Sequence, residues 1–248
     1  MTPRLFLVLT LSPIFFLINT GYCQVGKGSN EALALQHARE IYSESLSEQS
    51  GIYRGTDYIS YSHPVKKGNP FFLSGEVRMG EIRYDGMLYK NIPMWYDLAR
   101  NEVAVRYFDN ISRISLHNEK VSDFSFAGHH FINIEGDTAS KYGLGNGFHD
   151  QIYKGKSEIL VKRSKDFLIS TDPDGVWISF SGGKNDVFLR TGEKYEPVSS
   201  QKSVLKALGK HEKEIQAHLK QNKIKFRKER EKAIIMMVAY YDQLNKQI

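Results

Sequence analysis

Three histidines and an aspartate stand close together in the sequence: His129, His130, His149 and Asp150. A neutral imidazole binds metals or transfers protons near neutral pH, and a neighbouring carboxylate can fix its orientation. Adjacent residues on a strand point to opposite faces, so His129 and His130 do not bind one ion without a kink. The spacing matches no metal-site pattern. We therefore predict no metal site and no cofactor, and we interpret these histidines as surface or turn residues.

Acidic residues at Asp85, Asp97 and Glu102 could form a carboxylate pair for acid–base catalysis. Asp85 and Asp97 equally suit turns and strand ends. The sequence has no Gly-x-Ser-x-Gly motif and its only cysteine is Cys23, so a serine or cysteine nucleophile finds no support. The glycine-rich segment 143–147 lacks the Lys-Ser/Thr pair of a phosphate-binding loop and predicts a flexible loop. We assign no catalytic residue and favour a protein that is not an enzyme.

Aromatic residues with a polar tip are concentrated between positions 53 and 96. Tyrosine and tryptophan combine a large contact area with a hydrogen-bonding group, which suits a ligand groove on a sheet. The alternative is that the same rings form the core and its rim. The candidate ligand contacts that we single out are Tyr84, Tyr89, Trp95 and Tyr96.

Positive charge is concentrated at the C-terminal end. Residues 202–248 contain 12 Lys and Arg against 5 Asp and Glu, whereas the whole chain has a formal charge of +6. The basic run from Lys220 to Lys232 could contact nucleic acid or anionic lipid. Because Glu229 and Glu231 interleave, and because an exported protein rarely meets nucleic acid, we interpret the run as a solvated helix face. We expect no nucleic-acid partner.

The N-terminus has the pattern of a secretory signal peptide over residues 1–23. Arg4 precedes a short apolar core at 5–18, and cleavage before Gln24 would follow small residues. That core is shorter than the roughly 20 apolar residues of a spanning helix, and no later stretch could span a membrane. Acylation of Cys23 is an alternative, although Tyr22 stands where lipoprotein signals carry a small residue. We expect an exported protein of a Gram-negative bacterium, in the periplasm or on the outer surface.

The body of the chain has the two-residue period of antiparallel strands, separated by turns such as Asp85-Gly86. Met79 is out of phase with Ile82, which predicts a bulge or bend at Gly80. The pattern predicts an α+β protein, mainly antiparallel β, as an open barrel, a curved sheet or a sandwich.

Helical periods occur only on the flanks of this region. They predict one N-terminal helix between Glu31 and Leu46 and two or three helices after residue 200. We therefore predict a β domain with the N-terminal helix at 24–200 and a helical segment packed on the sheet at 201–248. The segment from Glu135 to Gly147 is expected to be irregular.

Residues 75–108 are predicted to form a meander of short antiparallel strands. Three of its segments, 80–86, 89–93 and 95–97, together form a YDG…YxNxPxxYD pattern, and a Lys-rich C-terminal end finishes with Tyr240-Tyr241. This combination resembles secreted proteins of Gram-negative bacteria for which we know no established activity. The resemblance implies an envelope location and a β scaffold, and it transfers no site residues.

The leading hypothesis is a non-catalytic binding or envelope-assembly protein whose partner is an envelope protein, a glycan or a lipid. A hydrolase that uses carboxylates or histidines is the alternative, and a carrier of lipids or lipoproteins is a second one. A histidine and an aspartate that converge in one pocket would favour the hydrolase. An exposed apolar concavity would favour the carrier, and a large flat apolar patch would favour an assembly subunit.

Overall fold

The computed structural model describes residues 33–35, 37–38 and 51–245. The chain divides into two compact units, Met1–His37 and Ala38–Ile248. Residues 33–35 and 37–38 are helical, in agreement with the predicted N-terminal helix. The rest of that helix and the predicted signal peptide lie outside the described residues. None of the described helices is both long and apolar enough to cross a lipid bilayer.

The described part of the second unit contains fourteen strands and four α-helices. The strands are β1 (Thr56–Asp57), β2 (Val65–Lys67), β3 (Arg78–Tyr84), β4 (Met87–Asp97), β5 (Glu102–Arg106), β6 (Arg113–Ser115), β7 (Val121–Phe126), β8 (His129–Ile134), β9 (Gly147–Lys154), β10 (Glu158–Ser164), β11 (Phe167–Asp172), β12 (Gly175–Phe180), β13 (Lys184–Arg190) and β14 (Tyr195–Val198). The helices are α1 (Gly136–Tyr142), α2 (Gln201–Leu208), α3 (Glu212–Gln221) and α4 (Arg230–Leu244).

Eleven of these strands form one sheet in the order β1-β6-β5-β4-β3-β7-β8-β9-β10-β13-β14. Every neighbouring pair in it is antiparallel. The sheet does not close into a barrel, so β1 and β14 remain its two edges. A second sheet has the order β11-β12-β2, in which β2 and β12 pair in parallel. The predicted class, α+β with mainly antiparallel strands, is confirmed.

Three hydrophobic clusters lie along the large sheet, and the smallest of them contains Ile134, Ala139, Leu144 and Leu160. The first is aromatic and packs within the curved β3–β9 region, where the largest fully buried side chains are Tyr84, Tyr96, Phe124, Phe131 and Phe148. The second is aliphatic and joins β10, β13 and β14 to α2, α3 and α4. In strands such as β3 and β13 buried and more exposed residues alternate, as the sequence predicts, whereas β4 and β10 contain runs of consecutive buried residues.

The predicted bulge near Gly80 is present, but the extra residue lies in the partner strand β4 and not in β3. Strand β3 alternates regularly, with Gly80 and Ile82 buried and Met79 and Glu81 exposed. The register between β3 and β4 shifts between Gly80 and Ile82, and the extra residue belongs to β4, where Asn91 has a φ of +55°. The bulge therefore leaves the phase of β3 unchanged, and Met79 faces outward.

Gly80 is required for a different reason, the close approach of its neighbours. A Cβ atom there would lie 2.4 Å from Sδ of Met94 and 2.6 Å from the backbone oxygen of Ser125. Contacts this short do not occur for real side chains, and the second partner is backbone that cannot move freely. Glycine is thus needed where three strands crowd together.

The helices after residue 200 number three within the described part of the chain, in agreement with the prediction. Ser200 and Ser203 form a capping box at the start of α2, and Gly209 ends that helix in the left-handed conformation, with a φ of +69°. The predicted solvated basic run is largely exposed, but most of it lies in the connection between α3 and α4. The expected irregular segment 135–147 is only partly so, because α1 occupies its first half and Gly143 ends that helix.

Helix α4 is attached to the β9–β10 hairpin through a buried aspartate. Asp242 is 3% exposed and accepts hydrogen bonds from the Ser157 backbone N–H at 2.9 Å and the Ser157 hydroxyl at 2.7 Å. The Tyr153 hydroxyl donates a third, at 3.0 Å. Burial and this bond raise the pKa of Tyr153 to about 12. The aspartate therefore links the last helix to the sheet by hydrogen bonding in addition to apolar packing.

Candidate functional site

The four aromatic residues proposed as ligand contacts are buried. Tyr84, Tyr89, Trp95 and Tyr96 are 1%, 6%, 4% and 1% exposed. The three tyrosines pack in the aromatic core, and the Trp95 indole donates a hydrogen bond to the backbone oxygen of Gly75 at 3.0 Å. None of the four lines any of three cavities found among the described residues. Their role in ligand binding stays a prediction, and the structure directs attention to other residues.

An open cavity of about 650 Å³ lies at the turn of the β7–β8 hairpin and reaches α4. We call it the hairpin cavity. Its lining combines carboxylates, histidines and amides with a smaller apolar set: Met79, Gly80, Glu81, Asn91, Ser125, Phe126, Gly128, His129, His130, Asp150, Gln151, Ile152, Glu231 and Ile235.

The hairpin turn explains why these residues meet. Ala127 and Gly128 both have positive φ, of 54° and 80°, which is the geometry of a tight two-residue hairpin turn. On β8, His129 and His130 then point to opposite faces, as predicted. His130 lies opposite Ser125 of β7, and Asp150 of β9 lies on the same face as His129. The cavity therefore takes residues from both faces of the hairpin.

Asp150 is the centre of a buried ionic network. Its Oδ2 atom accepts a hydrogen bond from His129 Nδ1 at 2.7 Å and from Arg163 Nε and Nη2 at 2.7 and 2.5 Å. Arg163 also donates to both carboxylate oxygens of Glu231 on α4, at 3.0 Å each. We call these four residues the Arg163 network. It ties β8, β9 and β10 to α4 directly beneath the hairpin cavity.

Burial sets the electrostatics of this network. Asp150 is 1% exposed and the Arg163 side chain 7%. Burial opposes the charge of Arg163, but the bonds to Glu231 and the charge of Asp150 outweigh it and raise the pKa of the guanidinium. The Oδ1 atom of Asp150 is also buried, and no donor among the described residues reaches it. A buried carboxylate oxygen without a donor is costly, so a new donor to this atom would be stabilising.

The two cavity histidines have different partners. His129 donates a hydrogen bond from Nδ1 to Asp150, and its ring packs edge-on against Phe72 with 4.9 Å between the ring centroids. His130 Nδ1 lies 2.8 Å from the Ser125 hydroxyl. The hydroxyl and the carboxylate are thus attached to different histidines on opposite faces. This arrangement does not form a serine–histidine–aspartate relay.

His149 belongs to neither pair. It is fully buried, and its ring nitrogens lie 2.9 Å from the backbone oxygen of Gly147 and 3.1 Å from that of Leu144. Burial lowers its pKa, so the neutral imidazole is favoured. Among the described residues no group of three histidine, cysteine or acidic side chains is positioned to hold a metal ion.

The acidic candidates Asp85, Asp97 and Glu102 have structural positions. Asp97 is buried and accepts hydrogen bonds from the hydroxyls of Tyr58 and Tyr61, at 2.8 and 2.9 Å. Asp85 occupies the β3–β4 turn with a φ of +51°, and Glu102 lies 3.3 Å from the Ser115 hydroxyl. None of the three lines the hairpin cavity.

Two further cavities have fewer chemical options. One, of about 600 Å³, contains Glu158, whose oxygens accept from Gln151, Arg190 and Tyr195 and so have donors already. The other, of about 560 Å³, lies beside Phe167 and Phe180. The small sheet around it exposes a set of apolar side chains: Val65, Phe167, Leu168, Ile169 and Val176.

Comparison of the chain with protein-family models, with curated proteins and with solved structures finds no match. A function is therefore inferred from the chemistry of the site. Sequence analysis singled out His129, His130 and Asp150 as candidates for chemistry, but it did not recognise Arg163, Glu231 or Ser125 as site residues. The sequence signal that could have linked Arg163 to Asp150 is the alternation of side chains along a strand. Once β9 and β10 are paired, Asp150 and Arg163 lie on the same face of adjacent strands.

Proposed function

We propose that the protein is an exported, non-catalytic binding protein that takes its ligand into the hairpin cavity. The observation that carries the proposal is Asp150, which lines the cavity and whose buried Oδ1 atom has no donor among the described residues. A bound ligand that donates a hydrogen bond there would remove the cost of burying that atom. The signal-like pattern of residues 1–23 supports export to the periplasm or the outer surface.

The partners of the cavity residues favour binding over catalysis. The Asp150 oxygen that contacts His129 also accepts two hydrogen bonds from Arg163, so the carboxylate is shared with a permanent cation and is not dedicated to the histidine. The Ser125 hydroxyl contacts His130, whereas Asp150 contacts His129. Pre-formed polar groups beside apolar lining residues are typical of a recognition site.

Native mass spectrometry of the protein purified from its own cell envelope tests this function. We expect a small-molecule or peptide adduct on the wild type that is lost from Met79→Trp, because Met79 lines the cavity, is 57% exposed and can accept a larger ring that fills it. Ile111→Trp is the matched control, since Ile111 is 88% exposed and lies outside the cavity. An adduct retained by Met79→Trp, or none on the wild type, would contradict the proposal.

A hydrolase is the second candidate, because His129 and Asp150 do converge in one cavity. The relevant measurement is the hydrolysis of p-nitrophenyl acetate by the wild type, His129→Gln and the control His117→Gln, which alters a histidine outside the cavity. For a binding protein we expect all three rates to be equal. A rate that falls more than tenfold only in His129→Gln would establish a catalytic histidine and replace our proposal.

The lipid-carrier and envelope-assembly hypotheses differ in the surface that they need. A lipid carrier needs an apolar concavity, whereas the hairpin cavity contains the carboxylates of Glu81, Asp150 and Glu231. An envelope-assembly subunit needs an apolar patch, and one face of the small sheet exposes the apolar side chains of Val65, Phe167, Ile169 and Val176. Assembly is therefore compatible with ligand binding, because it would use a different face of the protein.

A further inference from the structure

We infer that the group bound in the hairpin cavity is an organic cation on a short aliphatic stem, such as a primary ammonium of the lysine type. This inference rests on the proposed function and specifies its ligand. It is carried by the charge, the hydrogen-bonding capacity and the apolar lining of one cavity, each of which favours the same chemical class.

The charge of the cavity is negative although the chain as a whole is positive. Three carboxylates, those of Glu81, Asp150 and Glu231, line the cavity, and its described lining includes no lysine or arginine. Arg163 beneath it offsets one of these charges, which leaves two when the histidines are neutral. The formal charge of the chain is +6. A local reversal of sign at a concave site attracts a cation and repels an anion.

The hydrogen-bonding capacity of the cavity also requires donors from the ligand. Asp150 Oδ1 is buried and has no donor among the described residues, and Glu81 is an exposed carboxylate of the same lining. An ammonium group carries three donors and no acceptor, so it suits a lining that offers carboxylate oxygens. A carboxylate or phosphate ligand supplies no such donors and would face like charges.

Apolar side chains occupy the rest of the lining. Met79, Phe126, Ile152 and Ile235 come from β3, β7, β9 and α4 and flank the carboxylates. A hydrated inorganic cation would gain nothing from these residues. Methylene groups next to the ammonium would bury apolar area against them, and each buried methylene contributes favourably to binding.

Titration followed by two-dimensional ¹H–¹⁵N NMR tests the inference with three five-carbon probes that differ in the charge of their end group: pentylammonium, 1-pentanol and pentanoate. We expect pentylammonium to shift the amide signals of Gly128, His129 and Ile152 and to bind at least tenfold more tightly than 1-pentanol. Pentanoate should leave these signals unchanged. Equal binding of 1-pentanol would overturn the cationic class while leaving a ligand-binding cavity in place.

Charge variants complete the test without disturbing the Arg163 network. Glu81→Gln removes an exposed carboxylate of the lining and should weaken pentylammonium binding about threefold, the size of one solvent-screened charge interaction. Glu76→Gln removes an 82% exposed carboxylate outside the lining and should change nothing. Equal affinities of the two variants, or no binding of any probe, would overturn the inference. The native adduct on the wild type decides the proposed function separately.

Discussion

Replacing Arg163 with methionine is expected to destabilise the protein by about 3–5 kcal/mol, the range for removing one partner of a buried ion pair. The guanidinium is 7% exposed and bonds to both Asp150 and Glu231, so its loss leaves the Asp150 carboxylate buried with His129 as its remaining donor among the described residues. Methionine keeps most of the apolar volume, and the charge is therefore the main change. Urea unfolding followed by tryptophan fluorescence measures the effect.

The control for this variant is Arg83→Met. Arg83 pairs with Asp123 at 3.2 Å, but its side chain is 46% exposed, and exposed pairs contribute at most about 1 kcal/mol. Adding Asp150→Asn to Arg163→Met should recover part of the lost stability, because the unpaired buried charge is removed. Equal losses for Arg163→Met and Arg83→Met would show that the network does not stabilise the fold.

Replacing Asp242 with alanine should cost about 3 kcal/mol, since hydrogen bonds to a charged group contribute roughly 1.5–3 kcal/mol each and are not fully additive. The substitution leaves the Ser157 backbone N–H and hydroxyl without their acceptor in a buried position. Because the aspartate joins α4 to the β9–β10 hairpin, the substitution should increase the rate of amide hydrogen exchange more in α4 than in β4.

Tyr153→Phe provides a graded comparison for this prediction. It removes one of the three bonds to Asp242 and should cost about 1 kcal/mol. A loss below that value for Asp242→Ala, or unchanged exchange in α4, would mean that apolar packing alone holds the helix on the sheet.

The fold class follows from local patterns and could be predicted. The antiparallel pairing of β3 with β4 and the Asp85-Gly86 turn between them depend on neighbours in sequence, and both are found where the sequence predicts them. Helix α1 is not indicated by the sequence, because its flanking glycines, Gly136 and Gly143, suggest a loop, whereas they delimit one short helix.

The candidate site could be predicted only in part, because it depends on contacts between distant segments. Arg163 and Glu231 are 68 residues apart, and no periodicity within either element indicates that they meet. The aromatic candidates show a different limit, because their residue types do not distinguish a ligand groove from the core. Tyr84 and Tyr96 lie on the inner row of their strands, where the same ring that suits a ligand groove fills the core.

The strand order of the large sheet has a kinetic consequence. Most neighbours are also consecutive in the chain, such as β3–β4–β5–β6 and β7–β8–β9–β10, so their hairpins form over short loops. Pairing β1 with β6 instead brings Thr56 to Ser115 and must wait until the strands between them are in place. These local hairpins should therefore form before the β1 edge pairs with β6.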